Sequence, residues 1–454
     1  MNISVIGLGK LGSPLAAVLA SKGHTVIGVD FNEQFVLAVN NGKAPVIEPG
    51  LDEAIQKSHT RLSATTDCEE AVSKTEVTFV IVPTPSESSG GFSLKYVLSA
   101  AEAIGKALRD KNEFHVVVLT STVMPGATEN EVLPALEKHS GKQCGRDFGL
   151  CYNPEFIALG SVIHDMLNPD FVLIGESDPR SGDILAGIHL GFCDNAPLVT
   201  KMNFVNAELT KLAVNTFVTT KISYANMLAQ VCEQVPGADV DVVTSALGQD
   251  TRIGRRYLKG ALGYGGPCFP RDNVAFSHLA RQVGANAGLA EATDRVNREQ
   301  VSWLVEIVLR HLPPNGKVGI LGLSYKPLTN VIEEAQGIQL ASELLEKGIS
   351  LVLYDPAALE NAKSVIRGEV IFANSMEECA RLANVLVITT PWNEFKALTP
   401  EQLNYSNGRP TVVDCWRILL REAYDDSSIN YVALGRGPQS DYLQSRIAAG
   451  KTGD

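Results

Sequence analysis

The chain has 454 residues, of which 45% are hydrophobic and 20% charged, enough for two or three domains that each bury a core. A formal net charge of -12 excludes a general electrostatic grip on nucleic acid or an anionic membrane, and leaves open a local basic pocket for phosphates. No apolar run reaches membrane-spanning length and no basic-then-apolar leader precedes the first strand, so the expectation is a cytoplasmic protein acting on small anionic ligands.

The first predicted strand, residues 2–6, runs into Gly7-Leu8-Gly9-Lys10-Leu11-Gly12 and a helical run over 14–20, and a second strand over 25–29 ends in Asp30. A GxGxxG that follows a strand, opens a helix and has an acid eighteen residues beyond its last glycine is a dinucleotide signature. Gly7 allows the tight turn, Gly9 lets backbone N–H groups approach a pyrophosphate, and Gly12 lets the helix pack on the sheet. Asp30 is placed to accept from ribose hydroxyls and would repel a 2′-phosphate, which favours NAD over NADP.

Further strands over 77–82, 116–120 and 148–152 end at Thr84, at Ser121-Thr122-Val123 and at Asn153-Pro154-Glu155-Phe156. Ligands of doubly wound sheets lie beyond the carboxyl ends of the strands, so Thr84, Thr122 and Glu155 are expected to line one crevice, although each alone also reads as a turn or cap residue. A long helix from Asn206 to about Gln234 follows, and on it Glu208, Lys211 and Asn215 share a stripe. That stripe reads either as a Glu208–Lys211 ion pair on a solvated face or as an ammonium and an amide aimed into a buried site to stabilise an oxyanion.

The basic run Arg252-Ile253-Gly254-Arg255-Arg256-Tyr257-Leu258-Lys259 is a diphosphate grip or a solvated helix end. It leads to Gly263-Tyr264-Gly265-Gly266-Pro267-Cys268-Phe269-Pro270-Arg271-Asp272, where a thiol is framed by residues that dictate backbone shape. The other seven cysteines show neither C-x-x-C pairs nor Cys/His ligand spacing, so no metal site and no disulfide framework is expected. A helix over 296–312 precedes a second βα series with strands at 317–322, 351–354, 385–389 and 411–413, lacking a full GxGxxG. The fold expected is therefore α/β, with two Rossmann-like doubly wound domains, 1–200 and 311–454, joined by a long central helix and a helical middle region, 201–310. The tail 448–454 carries no motif and is read as disordered.

Taken in order, the GxGxxG with Asp30, Ser121-Thr122-Val123, Asn153-Pro154-Glu155-Phe156, the Glu208-Lys211-Asn215 helix, the Cys268 loop and Gly322-Leu323-Ser324-Tyr325-Lys326-Pro327 resemble the nucleotide-sugar dehydrogenase family over essentially the whole chain. The resemblance implies a four-electron oxidation of the C6 alcohol of a nucleoside-diphosphate hexose by two NAD molecules through a thiohemiacetal and a thioester. UDP-glucose is the leading substrate it implies, with UDP-galactose, a UDP-N-acetylhexosamine or GDP-mannose as alternatives. A two-electron hydroxyacid dehydrogenase with an inert Cys268 and a dinucleotide-binding protein without activity are the rival readings.

Carried over by position, the family roles make Cys268 the nucleophile and Lys211 with Asn215 the oxyanion stabilisers, Lys211 also helping to accept the first proton. Asp272 would orient or activate water, and Thr122 and Glu155 would hold the catalytic water and the nicotinamide end. Arg252, Tyr257, Lys259, Gly265, Lys326 and Arg417 would contact the nucleotide sugar, Arg252 from the neighbouring subunit of a homodimer or larger homo-oligomer. Pro267 stands where serine is usual, Leu159 where an acid is frequent, and Glu333 where an arginine faces the cofactor.

Overall fold

A computed structural model describes residues 1–406, 408–424 and 428–438; the tail expected to be disordered lies outside them. The chain divides into two compact units, residues 1–214 and 215–454. Among the described residues no helix is long and apolar enough to cross a membrane.

The first unit is built on an eight-stranded sheet of β1 (Asn2–Ile6), β2 (Thr25–Val29), β3 (Leu62–Thr65), β4 (Val77–Val80), β5 (His115–Leu119), β6 (Phe148–Tyr152), β7 (Phe171–Glu176) and β8 (Leu198–Met202), in the order β3-β2-β1-β4-β5-β6-β7-β8. The first six pair in parallel, β7 runs antiparallel to β6, and β8 is parallel to β7. In β5 the run Val116-Val117-Val118-Leu119 sends Val116 and Val118 into one apolar layer and Val117 and Leu119 into the other. Both faces are buried, which is why the strand reads as a continuous apolar run and not as an alternation. The β1–β4 neighbourhood is the point at which the strand order reverses, and helix α1 (Gly12–Ser21) starts beside it.

The second unit repeats this plan in the parallel order β11-β10-β9-β12-β13-β14, where β9 is Val318–Leu321, β10 Leu351–Tyr354, β11 Val370–Phe372, β12 Val385–Ile388, β13 Thr411–Asp414 and β14 Asn430–Ala433. The edge strands β11 and β14 are short and only half-buried, and neither stands out in the sequence. Four helices belong to the central region: α2 (Phe204–Gln234), within which the division between the units falls, α3 (Val240–Leu247), α4 (Phe269–Gln282) and α5 (Gly288–His311). Helix α6 (Gln336–Glu346) follows β9.

The two sheets share their turn chemistry although only one carries a GxGxxG. Gly7 takes φ +95°, and a Cβ on Gly12 would lie 1.7 Å from the Gly7 carbonyl oxygen; Gly322 takes φ +108°, and a Cβ on Gly337 would lie 2.1 Å from the Gly322 carbonyl oxygen. In each unit a strand-end aspartate pins the turn: Asp30 accepts from the Leu8 amide at 2.7 Å, and Asp355 accepts from the amides of Leu323 at 2.8 Å and Ser324 at 3.0 Å. The second turn keeps the close helix approach of the first with a longer excursion between its glycines, residues 323–336.

Candidate active site

In the first unit, the glycine turn ends in a helix with no side-chain cap, and nothing lies within 4 Å of the place a Cβ would take on Gly9. An uncapped N-terminus beside open space over a glycine fits a pyrophosphate, which would draw on the backbone donors of Gly9, Lys10, Leu11 and Gly12. Asp30 accepts on one oxygen from Leu8 and on the other from Asn32 at 2.8 Å. An ionised carboxylate offers about four acceptor positions, so two remain for ribose hydroxyls. The residues present therefore fit NAD.

The ends of β4 and β5 are stitched together. Ser121 Oγ donates to the Val82 carbonyl at 2.7 Å and accepts from the Val82 amide at 2.9 Å, while Thr84 Oγ1 donates to the Thr122 carbonyl at 2.8 Å. Thr84 is buried and Thr122 half-buried, so the two lie side by side at the strand ends. At the end of β6 the half-buried Glu155 is enclosed by protein, and desolvation pushes its carboxyl up to about 7 against the opposing pull of the Lys211 ammonium. Lys211, itself buried, donates from Nζ to the Glu155 carbonyl and lies 4.7 Å from the centre of the Phe156 ring. Glu155 and Lys211 are thus brought together by the chain fold, 56 residues apart.

Glu208 corrects the surface ion-pair reading of the stripe. It is fully buried, and its oxygens accept from the amides of Gly126 at 2.6 Å and Thr128 at 2.8 Å, at the start of the helical segment Thr128–Val132. A helix start presents amides with no intrahelical acceptor, and a carboxylate satisfies two of them at once. Lys211 is left to Glu155.

Sequence reasoning missed two anchors of the Glu155 loop. His189, on the helix Pro179–Phe192, donates from Nε2 to Asn153 Oδ1 at 2.8 Å, and burial lowers its imidazole to about 4, which keeps it neutral. Glu48 accepts from the amides of Gly160 at 2.8 Å and Val162 at 2.9 Å. No local spacing announces either contact, since the partners are 36 and more than 100 residues apart.

In the second unit, Cys268 is exposed and stands at the N-terminal boundary of α4, with Pro270 in the first turn where its missing N–H costs nothing. The Asp272 amide donates to the Cys268 carbonyl at 2.8 Å, so the loop runs into a helix and the aspartate lies one turn beyond the thiol. Asp272 is buried, accepts from Asn215 Nδ2 at 2.6 Å and lies 3.3 Å from Arg271 Nε. Asn215 and Asp272 therefore form one buried pair beneath the start of α4.

The loop before the thiol is held by backbone. The Gly266 amide donates to the Glu333 carbonyl at 2.9 Å; a Cβ on Gly265 would come within 2.3 Å of the Glu334 carbonyl oxygen, and one on Gly266 within 2.6 Å of the Tyr325 ring. The segment expected to carry an arginine thus supports the cysteine loop through its carbonyls, while the Glu333 side chain points to the exposed surface. Of the other departures, Pro267 is half-buried next to Cys268, and Leu159 packs on the core of the first unit.

The basic run is a series of turns and not a helix end. Arg252 is exposed and forks onto Asp250, with Nε at 3.0 Å and the terminal nitrogen at 2.6 Å. Tyr257, at φ +62°, meets the ring of Phe269 edge-on at 6.3 Å, and Lys259 is exposed. Lys326 is half-buried, its Nζ 6.0 Å from the centre of the Tyr325 ring. Arg417 is occupied internally: its side chain is 1% exposed and donates to both oxygens of Asp241 at 2.7 and 2.9 Å and to the carbonyls of Gly260, Leu434 and Cys415. Its place supports a clamp between α3 and the loops after β13 and β14, not the nucleotide contact expected of it. Among the described residues no group of three His, Cys, Asp or Glu side chains could hold a metal.

Comparison with known proteins agrees with this layout. The UDP-glucose/GDP-mannose dehydrogenase family matches the chain in three parts, its NAD binding domain over residues 1–192, its central domain over 205–299 and its UDP binding domain over 319–421. A UDP-glucose 6-dehydrogenase of Haloferax volcanii is 37% identical, with 88% of this chain and 94% of that protein covered. A GDP-mannose 6-dehydrogenase of Pseudomonas putida is 34% identical over 88% and 93% of the two chains. The solved structure of a UDP-glucose dehydrogenase from Pyrobaculum islandicum superposes with a TM-score of 0.86 at 34% identity, covering 96% of this chain and 98% of its own.

Proposed function

This chain belongs to the UDP-glucose/GDP-mannose dehydrogenase family and is an NAD-dependent oxidoreductase of nucleotide sugars, and from that premise we propose that it oxidises the C6 alcohol of UDP-glucose to the carboxylate of UDP-glucuronate. The observation that carries the four-electron reading is the exposed Cys268 thiol at the start of α4, with the buried Asn215–Asp272 pair beneath it. NAD supplies the hydride acceptor for both oxidations.

In the first unit, the Lys211 ammonium balances the negative charge that develops on oxygen as the alcohol proton passes through water to Glu155. Glu155, with a carboxyl raised to about 7, exchanges protons with water near neutral pH, and Thr122 holds that water and the nicotinamide end. In the second unit, Cys268 Sγ bonds to C6 of the aldehyde, giving a thiohemiacetal whose remaining C6 hydride leaves to form a thioester. Water then attacks C6, the C–S bond breaks, and the thiol is restored with the carboxylate as product. Asn215 stabilises the oxyanions, and Asp272 orients the water. One alcohol and one water thus yield one carboxylate, two NADH and three protons. The second sheet binds the nucleotide, with Tyr257, Lys259, Gly265 and Lys326 as contacts.

A panel of UDP-glucose, UDP-galactose, UDP-N-acetylhexosamines and GDP-mannose, assayed for NADH per sugar, tests this reading. The expected outcome is two NADH per UDP-glucose and kcat/KM values lower by about a hundredfold or more for sugars whose polar groups leave the pocket unpaired. One NADH per sugar would sink the four-electron mechanism, and preference for GDP-mannose would reassign the substrate.

A homodimer completes the proposal. On α2, Phe217, Tyr224, Met227 and Val231 are 67%, 48%, 43% and 51% exposed and recur at the seven-, three- and four-residue spacings of one helix face. An apolar stripe of this kind is covered in a stable assembly. Met227→Lys is expected to convert a dimer to a monomer in sedimentation at micromolar concentration; an unchanged dimer would place the interface elsewhere.

A further inference from the structure

The stretch 261–266 reaches Cys268 through neither helix nor strand, so its backbone groups must find other partners if they are to stay buried. Two asparagines from different helices supply them. Asn226, on α2 and 1% exposed, accepts from the Ala261 amide at 2.9 Å and donates to the Leu262 carbonyl at 2.9 Å. Asn297, on α5 and 6% exposed, accepts from the Tyr264 amide at 2.7 Å and donates to the Tyr264 carbonyl at 3.0 Å. Each carboxamide does for the loop what a neighbouring strand would do.

The geometry demands this residue type. A primary amide joins one acceptor and a pair of donors in a short plane; aspartate when ionised offers acceptors alone, and glutamine is longer by a methylene. Gly263, between the two clamps, has no room for a side chain, since a Cβ would lie 2.6 Å from Asn297 Oδ1. Beyond it the Gly266 amide is held by the Glu333 carbonyl. Four amide hydrogen bonds and one backbone bond therefore set the path of the chain within a few residues of the thiol.

We propose that Asn226 and Asn297 are positioning residues for Cys268, an inference that rests on the reading of Cys268 as the nucleophile. Neither touches reacting atoms; both act by holding the loop that aims the thiol. Only the second oxidation uses the thiol, so disturbing a clamp slows that step selectively.

Asn297→Asp tests it. The carboxylate keeps the acceptor for the Tyr264 amide and turns an acceptor toward the Tyr264 carbonyl; protonation at lower pH restores a donor. In rapid-mixing single turnovers at neutral pH, the second NADH is expected to form about 10- to 100-fold more slowly than in the wild type while the first stays within about threefold, the scale of a misplaced reacting group. The ratio of variant to wild-type rate for the second step is expected to rise as the pH falls. Equal slowing of both steps with no pH recovery, or wild-type rates in a folded variant, would overturn the proposal. If Asn297→Asp does not fold, Asn226→Asp carries the same test, and failure of both to fold assigns the pair to the stability of the fold and overturns the positioning role. Cys268→Ala is measured alongside: two NADH per sugar from that variant removes the thioester reading itself, whereas a block there with a normal second step in Asn297→Asp removes the positioning role alone.

Discussion

Replacing Cys268 by serine is expected to lower carboxylate formation by on the order of 10⁴-fold, the scale on which loss of a catalytic nucleophile acts. The residue is exposed at a helix boundary, so the change of sulfur to oxygen removes no core contact, and the melting temperature should hold within a few degrees. What changes is chemistry. A thiol reaches its anionic form near neutral pH far more readily than a hydroxyl, and its anion is the stronger nucleophile toward a carbonyl. The helix start adds partial positive charge from backbone N–H groups, which favours an anion at that point.

The first oxidation requires no thiol, so the serine variant should still transfer one hydride. The expected products are one NADH per sugar and an aldehyde that semicarbazide traps. Mass spectrometry of a wild-type reaction quenched in acid should show the nucleotide sugar joined through C6 as a thioester on the peptide containing Cys268, and the serine variant should lack it. Carboxylate production by Cys268→Ser at the wild-type rate would remove the covalent mechanism and leave a four-electron oxidation that proceeds without the thiol.

Lys211→Met is the second large effect. Methionine keeps the length and most of the apolar stem of lysine, and removes the ammonium that donates to the Glu155 carbonyl and lies over the Phe156 ring. Loss of one preorganised electrostatic partner of a developing oxyanion costs on the order of 10²- to 10³-fold in kcat. KM for the nucleotide sugar should move less, because the charge is needed most in the transition state.

The same variant should shift the pH profile. Burial holds the Glu155 carboxyl at about 7, with Lys211 the opposing influence. Without the ammonium the carboxyl rises further, so the ionised form appears only at higher pH. If Glu155 acts as a base, the acid limb of kcat lies near pH 7 in the wild type and moves to higher pH in Lys211→Met. An acid limb unmoved by the substitution, with kcat reduced, would leave Lys211 its oxyanion role and take the base role from Glu155.

The departures from the family pattern separate by what the chain uses at each place. Glu333 reverses the charge of a side chain, yet the contact that supports the cysteine loop is made by its carbonyl, which every residue possesses. Leu159 adds to an apolar core and leaves the Glu155 loop anchored by His189 and Glu48. Pro267 lies directly before the thiol and stiffens the approach to α4, which makes it the departure closest to the proposed nucleophile.

What the amino-acid order determined by itself lay within single βα units and did not extend to β3, β7, β8, β11 or β14. Apolar runs buried on both faces specified the other parallel strands, and the GxGxxG with an acid at the next strand end specified the first turn, because strand, turn and helix start interact over a few residues. Only the tertiary structure decided where the buried polar groups found partners. Glu208 took the amides of Gly126 and Thr128, 80 and more residues away, instead of the ammonium one turn along its own helix. Arg417 went to Asp241, 176 residues distant, and Asn226 and Asn297 went to a loop more than thirty residues from each. A buried donor or acceptor must pair with whichever complementary group packing leaves beside it, since the cost of leaving it unpaired is about 1–3 kcal/mol. That choice is made by the assembled core and leaves no periodic trace in the chain.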